Sequence, residues 1–248
     1  MPSWLQQAWS RGIVTTRYPR ETATPAEAPE TAYPPVPTEG PTGLAAAAES
    51  CPTSAIRPDA IDQGRCIRCA RCCKAGCTFT GPLESSRRHR SDLVWPGGAP
   101  TPASPEQPLA ALGRSVHVLF VDVGSCNACN LEVLTLANPY YDSQRLGIFL
   151  TNSPRHADLL VVVGVPTEEM VDPLRRTFEA MPAPKAVVAV GVCPTSGGIF
   201  AGNAGVRTSL EEVVPVNLYV PGCPPPPLAV LDGILTVMGR QRRRPRGP

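Results

Sequence analysis

The sequence predicts an α/β domain with a parallel sheet covered on both faces, spanning residues 113–240 of the 248-residue chain. Three observations carry this. Apolar, β-branched runs recur at 116–123 (VHVLFVDV), 148–150, 159–163, 186–190 and 218–220, continuous rather than alternating, as strands buried on both faces are. Stretches of helical periodicity lie between them: 172–181, with Asp172 at the N-cap and Pro173 at the first helical position, and 228–238, entered through prolines. The length, about 125 residues, suits one such domain.

The chain before this domain has a different composition. With 31 prolines and 21 glycines, about a fifth of the residues, the whole is too proline-rich for one uniformly packed unit. Residues 1–50 read as an N-terminal head, with Trp4, Leu5 and Trp9 at near-helical spacing, followed by a Pro/Glu/Thr/Ala-rich linker over 22–42 that can bury little. Residues 51–80 hold six of the ten cysteines. Residues 81–112 return to linker composition, with Gly97-Gly98 and prolines at 96, 100, 102, 105 and 108. The run Arg87-Arg88-His89-Arg90 reads as a solvated basic patch, and Arg240, Arg242, Arg243, Arg244 and Arg246 as a solvated tail, with an acidic partner face or anionic lipid as the alternative contact.

Several classes are excluded at this level. A net charge of +2 supplies no general field for nucleic acid. No apolar run approaches the ~18 residues of a membrane-crossing helix. The start lacks the basic region and apolar stretch of a secretory signal. The expectation is therefore a soluble, cytoplasmic protein whose cysteines serve metal or redox chemistry rather than disulfides. Of three histidines, His117 lies in the first strand and reads as structural. Metal binding thus falls to thiolates, which suit zinc or iron–sulfur clusters.

Four cysteines follow strands. Cys126 and Cys129 come after the first run, Cys193 after Gly191-Val192 and Cys223 after Pro221-Gly222. Loops leaving the carboxyl ends of parallel strands share one edge, where such sheets bind ligands. Gly124, Gly191, Gly197-Gly198 and Gly222 beside them let the backbone approach a bulky inorganic group and turn N–H groups toward its sulfurs. A single cysteine is commonly just a small buried hydrophobe, but four at strand ends ask for more. Structural zinc generally uses two local cysteine pairs; one pair and two separate cysteines favour an iron–sulfur cluster over zinc.

The segments 124–132 (GSCNACNLE), 138–142 (NPYYD), 153–158 (SPRHAD), 191–200 (GVCPTSGGIF) and 220–225 (VPGCPP) resemble the small subunit of membrane-associated NiFe hydrogenases, a family that includes the 20 kDa subunit of respiratory complex I. The resemblance covers residues 113–238 and implies a flavodoxin-like sheet holding one 4Fe–4S cluster through Cys126, Cys129, Cys193 and Cys223. Within the family, the Cys126-x-x-Cys129 spacing and Pro154-Arg155-His156 are most similar to the formate-hydrogenlyase and energy-converting hydrogenase branch, since complex I subunits carry adjacent cysteines. Ala128, Asn130 and Pro226 depart from the usual glycine, acid and basic or polar residue. Glu132 reads as a helix-surface residue, to which the resemblance adds proton movement beside the catalytic partner. Arg155 is expected to donate a hydrogen bond toward the cluster and raise its potential.

Cys66, Cys69 and Cys72 form the C-x2-C-x2-C run of bacterial ferredoxins, and Cys51-Pro52 looks like the fourth cysteine of a preceding run. Counted back from Cys51, the companions of that earlier run fall at Ala47, Leu44 and Pro41, none of them cysteine, so one of two clusters reads as lost. The surviving site is Cys51, Cys66, Cys69 and Cys72, with Cys77 as the rival fourth ligand and a zinc knuckle or empty fold as alternatives. Residues 12–19 (GIVTTRYP) resemble the start of two-cluster ferredoxin subunits, so the chain looks like a fusion of two electron-transfer subunits.

These resemblances imply an iron–sulfur electron-transfer subunit of a multi-subunit hydrogenase-like complex. It would carry two 4Fe–4S clusters and relay electrons between the ferredoxin-type cluster and a catalytic large subunit. The chain shows no nickel site, nucleotide loop or nucleophile–base pair, so no catalytic residue is expected and turnover belongs to the complex. It is expected to lie peripherally on the cytoplasmic face of a membrane through its partners. The alternative is a complex I-like NADH–quinone oxidoreductase component whose cluster reduces quinone; from a different class, a zinc-stapled scaffold.

Overall fold

The computed structural model describes residues 4–12, 15–19, 44–74, 89–95, 108–113 and 115–240. In chain order its elements are helix α1 (Trp4–Arg11), α2 (Leu44–Ser50), strand β1 (Ile61–Asp62), α3 (Arg71–Lys74), β2 (Val94–Trp95), β3 (Val116–Asp122), α4 (Ala128–Thr135), β4 (Ile148–Thr151), β5 (Leu159–Val163), α5 (Glu168–Ala180), β6 (Ala186–Val190), α6 (Val192–Ser196), β7 (Leu218–Val220) and α7 (Pro227–Val237), with short 3-10 turns between them. The linker over 22–42, Cys77, Arg87, Arg88 and the tail at 241–248 lie outside the described residues.

Each apolar run read from the sequence forms a strand of one five-stranded parallel sheet, in the order β4-β3-β5-β6-β7. Counted from β3 this is the flavodoxin-like order 2-1-3-4-5, whose switch point lies where the connections from β3 diverge. β5 and β6 are buried along their whole length, because both faces are covered. Val118, Val161, Val188 and Val220 face α4 and α7. Leu160, Val162, Val187 and Tyr219 face Leu174 of α5 and the segment Leu210, Val213 and Val214. At about 1.5–3 kcal/mol per fully buried aliphatic side chain, these two layers dominate the stability of the domain. His117, on β3, has its ring beside Asp158, with Nδ1 3.4 Å from Oδ2, and its backbone N–H donates to the same carboxylate at 2.8 Å. It is a structural histidine, as the sequence predicts.

Three local expectations are corrected. The helix expected to begin at Asp172 begins at Glu168, so Pro173 lies inside α5 rather than at its first position. Tertiary contacts hold the added turn: Glu168 N donates to Gly205 O at 3.0 Å, Arg207 N to Pro166 O at 2.7 Å, and the Arg207 side chain pairs with Glu168. Pro173 lies past the first turn, where it removes its own bond to the Glu169 carbonyl. Secondly, the stretch with linker composition contributes structure: β2 pairs antiparallel with β1, Leu93 enters the sheet core, and Leu109 is buried in it. Thirdly, Arg90 is not a solvated basic residue. Its guanidinium grips Asp62 in two parallel bonds of 2.8 and 2.6 Å, with the Asp62 side chain only 4 % exposed.

The cysteine-rich unit has a small core of its own, Leu44, Ala47, Ile56 and Ile61, against which Cys51 and Cys72 pack. The head also docks on the sheet domain. Thr16 N donates to Tyr140 O at 2.7 Å, Arg145 donates to Thr16 O at 2.9 Å, and Tyr18 hydrogen-bonds Asp232 of α7.

Candidate functional site

The carboxyl ends of β3, β6 and β7 deliver the four cysteines of the sheet domain. Cys126 follows β3 in a tight loop, and Cys129 lies on the first turn of α4. Cys193 lies on the first turn of α6, directly after Gly191-Val192, and Cys223 follows β7. Two of the four thus stand on short helices rather than in open loops.

Hydrogen bonding fixes the first loop. Asp122 at the end of β3 accepts from Gly124 N at 2.9 Å, Ser125 N at 2.8 Å, Ser125 Oγ at 2.7 Å and Asn130 Nδ2 at 2.6 Å. Asn130, the departure from a usual acid, therefore closes the loop by donating to Asp122, which a second carboxylate could not do. The strand-end register is held by Gly191 N donating to Val220 O at 2.8 Å and Val192 N to Gly222 O at 3.0 Å, which bring the Cys193 and Cys223 loops side by side. Gly191, at φ 98°, leaves room for a sulfur: a Cβ there would stand 2.9 Å from Cys129 Sγ. A Cβ on Gly198 would stand 3.3 Å from Cys193 Sγ.

The strand ends put the four cysteines on one edge of the sheet, and burial and neighbouring charge perturb their thiols. Burial pushes the Cys129 thiol up to about 12, and the charges of Cys193, Cys223, Cys126 and Glu132 push in the same direction. Cys193 is also pushed up to about 12, by burial first and then by Cys223 and Cys126. Cys223 is raised by burial and by Cys126, with Arg68 opposing. Four thiolates gathered without a cation repel one another, whereas an iron-bearing core would hold them all deprotonated. With the glycine cradle beside Cys129 and Cys193, this donor set fits an iron–sulfur cluster. Among the described residues no three His, Cys, Asp or Glu side chains come together as ligands of a single metal ion.

The cysteine-rich unit brings Cys51, Cys66 and Cys69 within electrostatic reach of one another. Burial pushes Cys66 up to about 11; Arg68 lowers it, and the charges of Cys51 and Cys69 raise it. Burial also raises Cys51, but backbone hydrogen bonds from Ile56, Thr53 and Ala55 outweigh it and leave the thiol below its ordinary value. One of these, Ala55 N to Cys51 Sγ, is 3.2 Å. Cys72 lies on α3 and packs on the same small core as Cys51. Leu44 and Ala47, two of the positions where an earlier cysteine run would fall, are 2 % and 0 % exposed core residues.

Of the other expected residues, Glu132 lies on the first helix of the sheet domain, as read from the sequence, and Arg155 on a 3-10 turn. Glu132 is half-buried on α4, and burial raises its carboxyl above the usual range. Arg155 is exposed on the 3-10 turn Pro154–His156. The guanidinium that reaches the Cys223 loop is instead that of Arg68, whose Nη2 donates to Pro221 O at 3.1 Å. Neither Arg68 nor Asp122 carries a spacing signal that would single it out in the sequence.

Residues 126–237 match the family described as NADH ubiquinone oxidoreductase, 20 Kd subunit. The chain is 39% identical over 136 residues to the "Probable membrane-bound hydrogenase subunit mbhJ" of Pyrococcus furiosus, a match covering 55% of this chain and 81% of that protein. It is 37% identical over 171 residues to "Formate hydrogenlyase subunit 7" of Escherichia coli, covering 64% and 67%. To the B-type component of the NADH-quinone oxidoreductase of Desulfovibrio desulfuricans it is 38% identical over 162 residues, covering 64% and 86%. Sheet order, thiol placement and these likenesses agree: the chain belongs to the family of the 20 kDa subunit of NADH ubiquinone oxidoreductase.

Proposed function

We propose that this chain is the iron–sulfur electron-transfer subunit of a multi-subunit, membrane-associated NiFe-hydrogenase-like complex of the formate-hydrogenlyase or energy-converting kind. The observation that carries the reading is the gathering of Cys126, Cys129, Cys193 and Cys223 at one edge of the sheet, with a second cysteine set docked beside Cys223. Cys126, Cys129, Cys193 and Cys223 would hold one 4Fe–4S cluster, and Cys51, Cys66, Cys69 and Cys72 a second. When bound, such clusters supply one-electron transfer. The chain's own residues hold the thiols in place, bury them and set the local charge. A cubane carries its sulfur ligands on its outer corners, a wider set than the four thiolates ~2.3 Å from a single zinc.

The partner is a catalytic large subunit. Supporting this, Leu131 and Leu134 of α4 and Ile199 beyond α6 are large, exposed apolar residues, and the first two share a helix with Cys129. The two relatives named as hydrogenase or hydrogenlyase subunits point to the same assembly. No helix among the described residues is long and apolar enough to cross a membrane, so membrane association would come through other subunits, on the cytoplasmic face. The separated pair Cys126 and Cys129 favours this branch over quinone reduction.

The test is anaerobic reconstitution of the full chain with iron and sulfide. About eight iron atoms per chain are expected from two cubanes; fewer than about four, or zinc without visible absorption, overturns the reading. A large subunit co-purified with the chain should carry two Cys-x-x-Cys pairs. Their absence together with quinone-dependent activity would assign the complex I-like role instead.

A further inference from the structure

Arg68 lies between Cys66 and Cys69 in sequence, yet its guanidinium leaves that loop and crosses to the sheet domain. Nη2 donates to Pro221 O at 3.1 Å, and a Cβ built on Gly222 would stand 2.8 Å from the same nitrogen. The same Cβ would stand 2.6 Å from the Pro225 backbone, so the tight turn of the Cys223 loop and the Arg68 guanidinium close on Gly222 together. Arg68 itself has a left-handed backbone, φ 56°, which a residue with a Cβ keeps only where its surroundings impose it. A second contact fastens the same two parts. Ser196 Oγ of α6 donates to Gly64 O at 2.7 Å, both groups buried. The loop carrying Cys66 and Cys69 is therefore tied at two points to the elements carrying Cys193 and Cys223.

We infer that Arg68 is a positioning residue shared by the two cysteine sets: it clamps the Cys66–Cys69 loop to the Cys223 loop and makes one-electron reduction easier at both. This rests on the electron-transfer reading above. Reduction adds one negative charge to a thiolate-held cluster, and a fixed guanidinium stabilises that charge, so the potential rises. Its backbone stands between Cys66 and Cys69 while its Nη2 reaches Pro221 O, two residues before Cys223, so one fixed charge borders both sets. A cation serving one set alone would widen or narrow the step between them. One placed between them moves both the same way.

The experiment is an EPR-monitored redox titration, with iron analysis, of the full chain as wild type, Arg68→Gln and Arg68→Lys. The glutamine variant should keep its iron and show both midpoint potentials lowered, by a several-fold to tenfold weaker reduction, tenfold being about 59 mV for one electron. The lysine variant keeps the charge and should retain most of the wild-type potential at both sites. Unchanged potentials in Arg68→Gln, or equal shifts in the two variants, would overturn the proposal and leave Arg68 as packing alone. If Arg68→Gln loses iron from the cysteine-rich loop, the sheet-domain potential is read by itself and must still fall, or the proposal fails. A wild-type chain that takes up no iron overturns the electron-transfer reading, and this proposal with it.

Discussion

Asp122 and Gly191 show how single residues shape the thiol site without being ligands. Burial pushes the Asp122 carboxyl up, but hydrogen bonds from Asn130, Gly124 and Ser125 outweigh it and hold the group below the usual carboxylate value. A carboxyl depressed on folding contributes stability above its unfolded pKa, about 3.9, and loses that contribution as pH falls through the lower folded value. Asp122→Asn should therefore destabilise the protein by about 1 kcal/mol at neutral pH, a figure kept small because the carboxylate is exposed. The gap to wild type should narrow as pH falls below the unfolded value and through the lower folded one. Denaturant midpoints measured across that range check both statements, and identical midpoints at neutral pH would contradict them. Gly191→Ala is expected to act more locally. Its backbone, φ 98° and ψ 171°, lies in a region kept almost wholly by glycine and costs an alanine about 1–3 kcal/mol, and the new methyl would meet Cys129 Sγ. The expected result is a folded chain by circular dichroism with iron missing from the sheet-domain site.

At the scale of elements, the cysteine-rich unit shows what stands where an earlier cysteine run would fall. Leu44 and Ala47 lie on α2 and pack with Ile56 and Ile61, so a helix and an apolar core occupy the positions of an earlier cysteine run. Cys51 ends that helix, with its thiol accepting from Ala55 N. Cys51→Ser should therefore weaken or convert one cluster, seen as lost iron or an altered EPR signal, while Cys73→Ser should leave both intact. Ready alkylation of Cys77 in the iron-loaded protein fits Cys51 as the fourth ligand; alkylation of Cys51 with Cys77 protected would reverse the assignment. Helix α5 carries the complementary lesson. Its proline reads as a helix start, yet the contacts of Glu168 with Gly205 and Arg207 extend the helix ahead of it, because local preference yields where the first turn finds tertiary partners.

For the whole molecule, the joint between the two cysteine-bearing units is polar and buried. Arg90 neutralises Asp62 at the strand pair β1–β2, and Gly64 beside it meets both the Arg90 guanidinium and Thr195 of α6. Arg90→Ala would leave the buried Asp62 carboxylate only the longer pairing with Arg65 at 3.5 Å and the Gly64 N–H at 3.0 Å. The loss should stay below about 3 kcal/mol, the cost of removing the partner from an isolated buried pair. A corresponding fall in the denaturant midpoint is expected, accompanied by loosening of the cysteine-rich unit from the sheet domain. Protection of the 44–74 and 192–196 amides from hydrogen exchange would read that loosening directly, and unchanged protection would show that the joint does not depend on Arg90.

The strands and the ligand candidates were legible in the sequence for a simple reason. Strands buried on both faces must be continuously apolar, and cysteines just after them fall at one edge whatever the strand order. Runs such as 159–163 and 186–190 and the four cysteines from Cys126 to Cys223 therefore declare themselves locally. What only the tertiary structure decided involves partners far apart in the chain: Asp62 with Arg90, Gly64 with Ser196, Glu168 with Gly205, and Arg68 with Pro221. A charged residue in a proline-rich stretch reads as solvated until a buried carboxylate is found opposite it. The docking of one cysteine set on the other arises from such distant contacts, which no spacing or periodicity encodes.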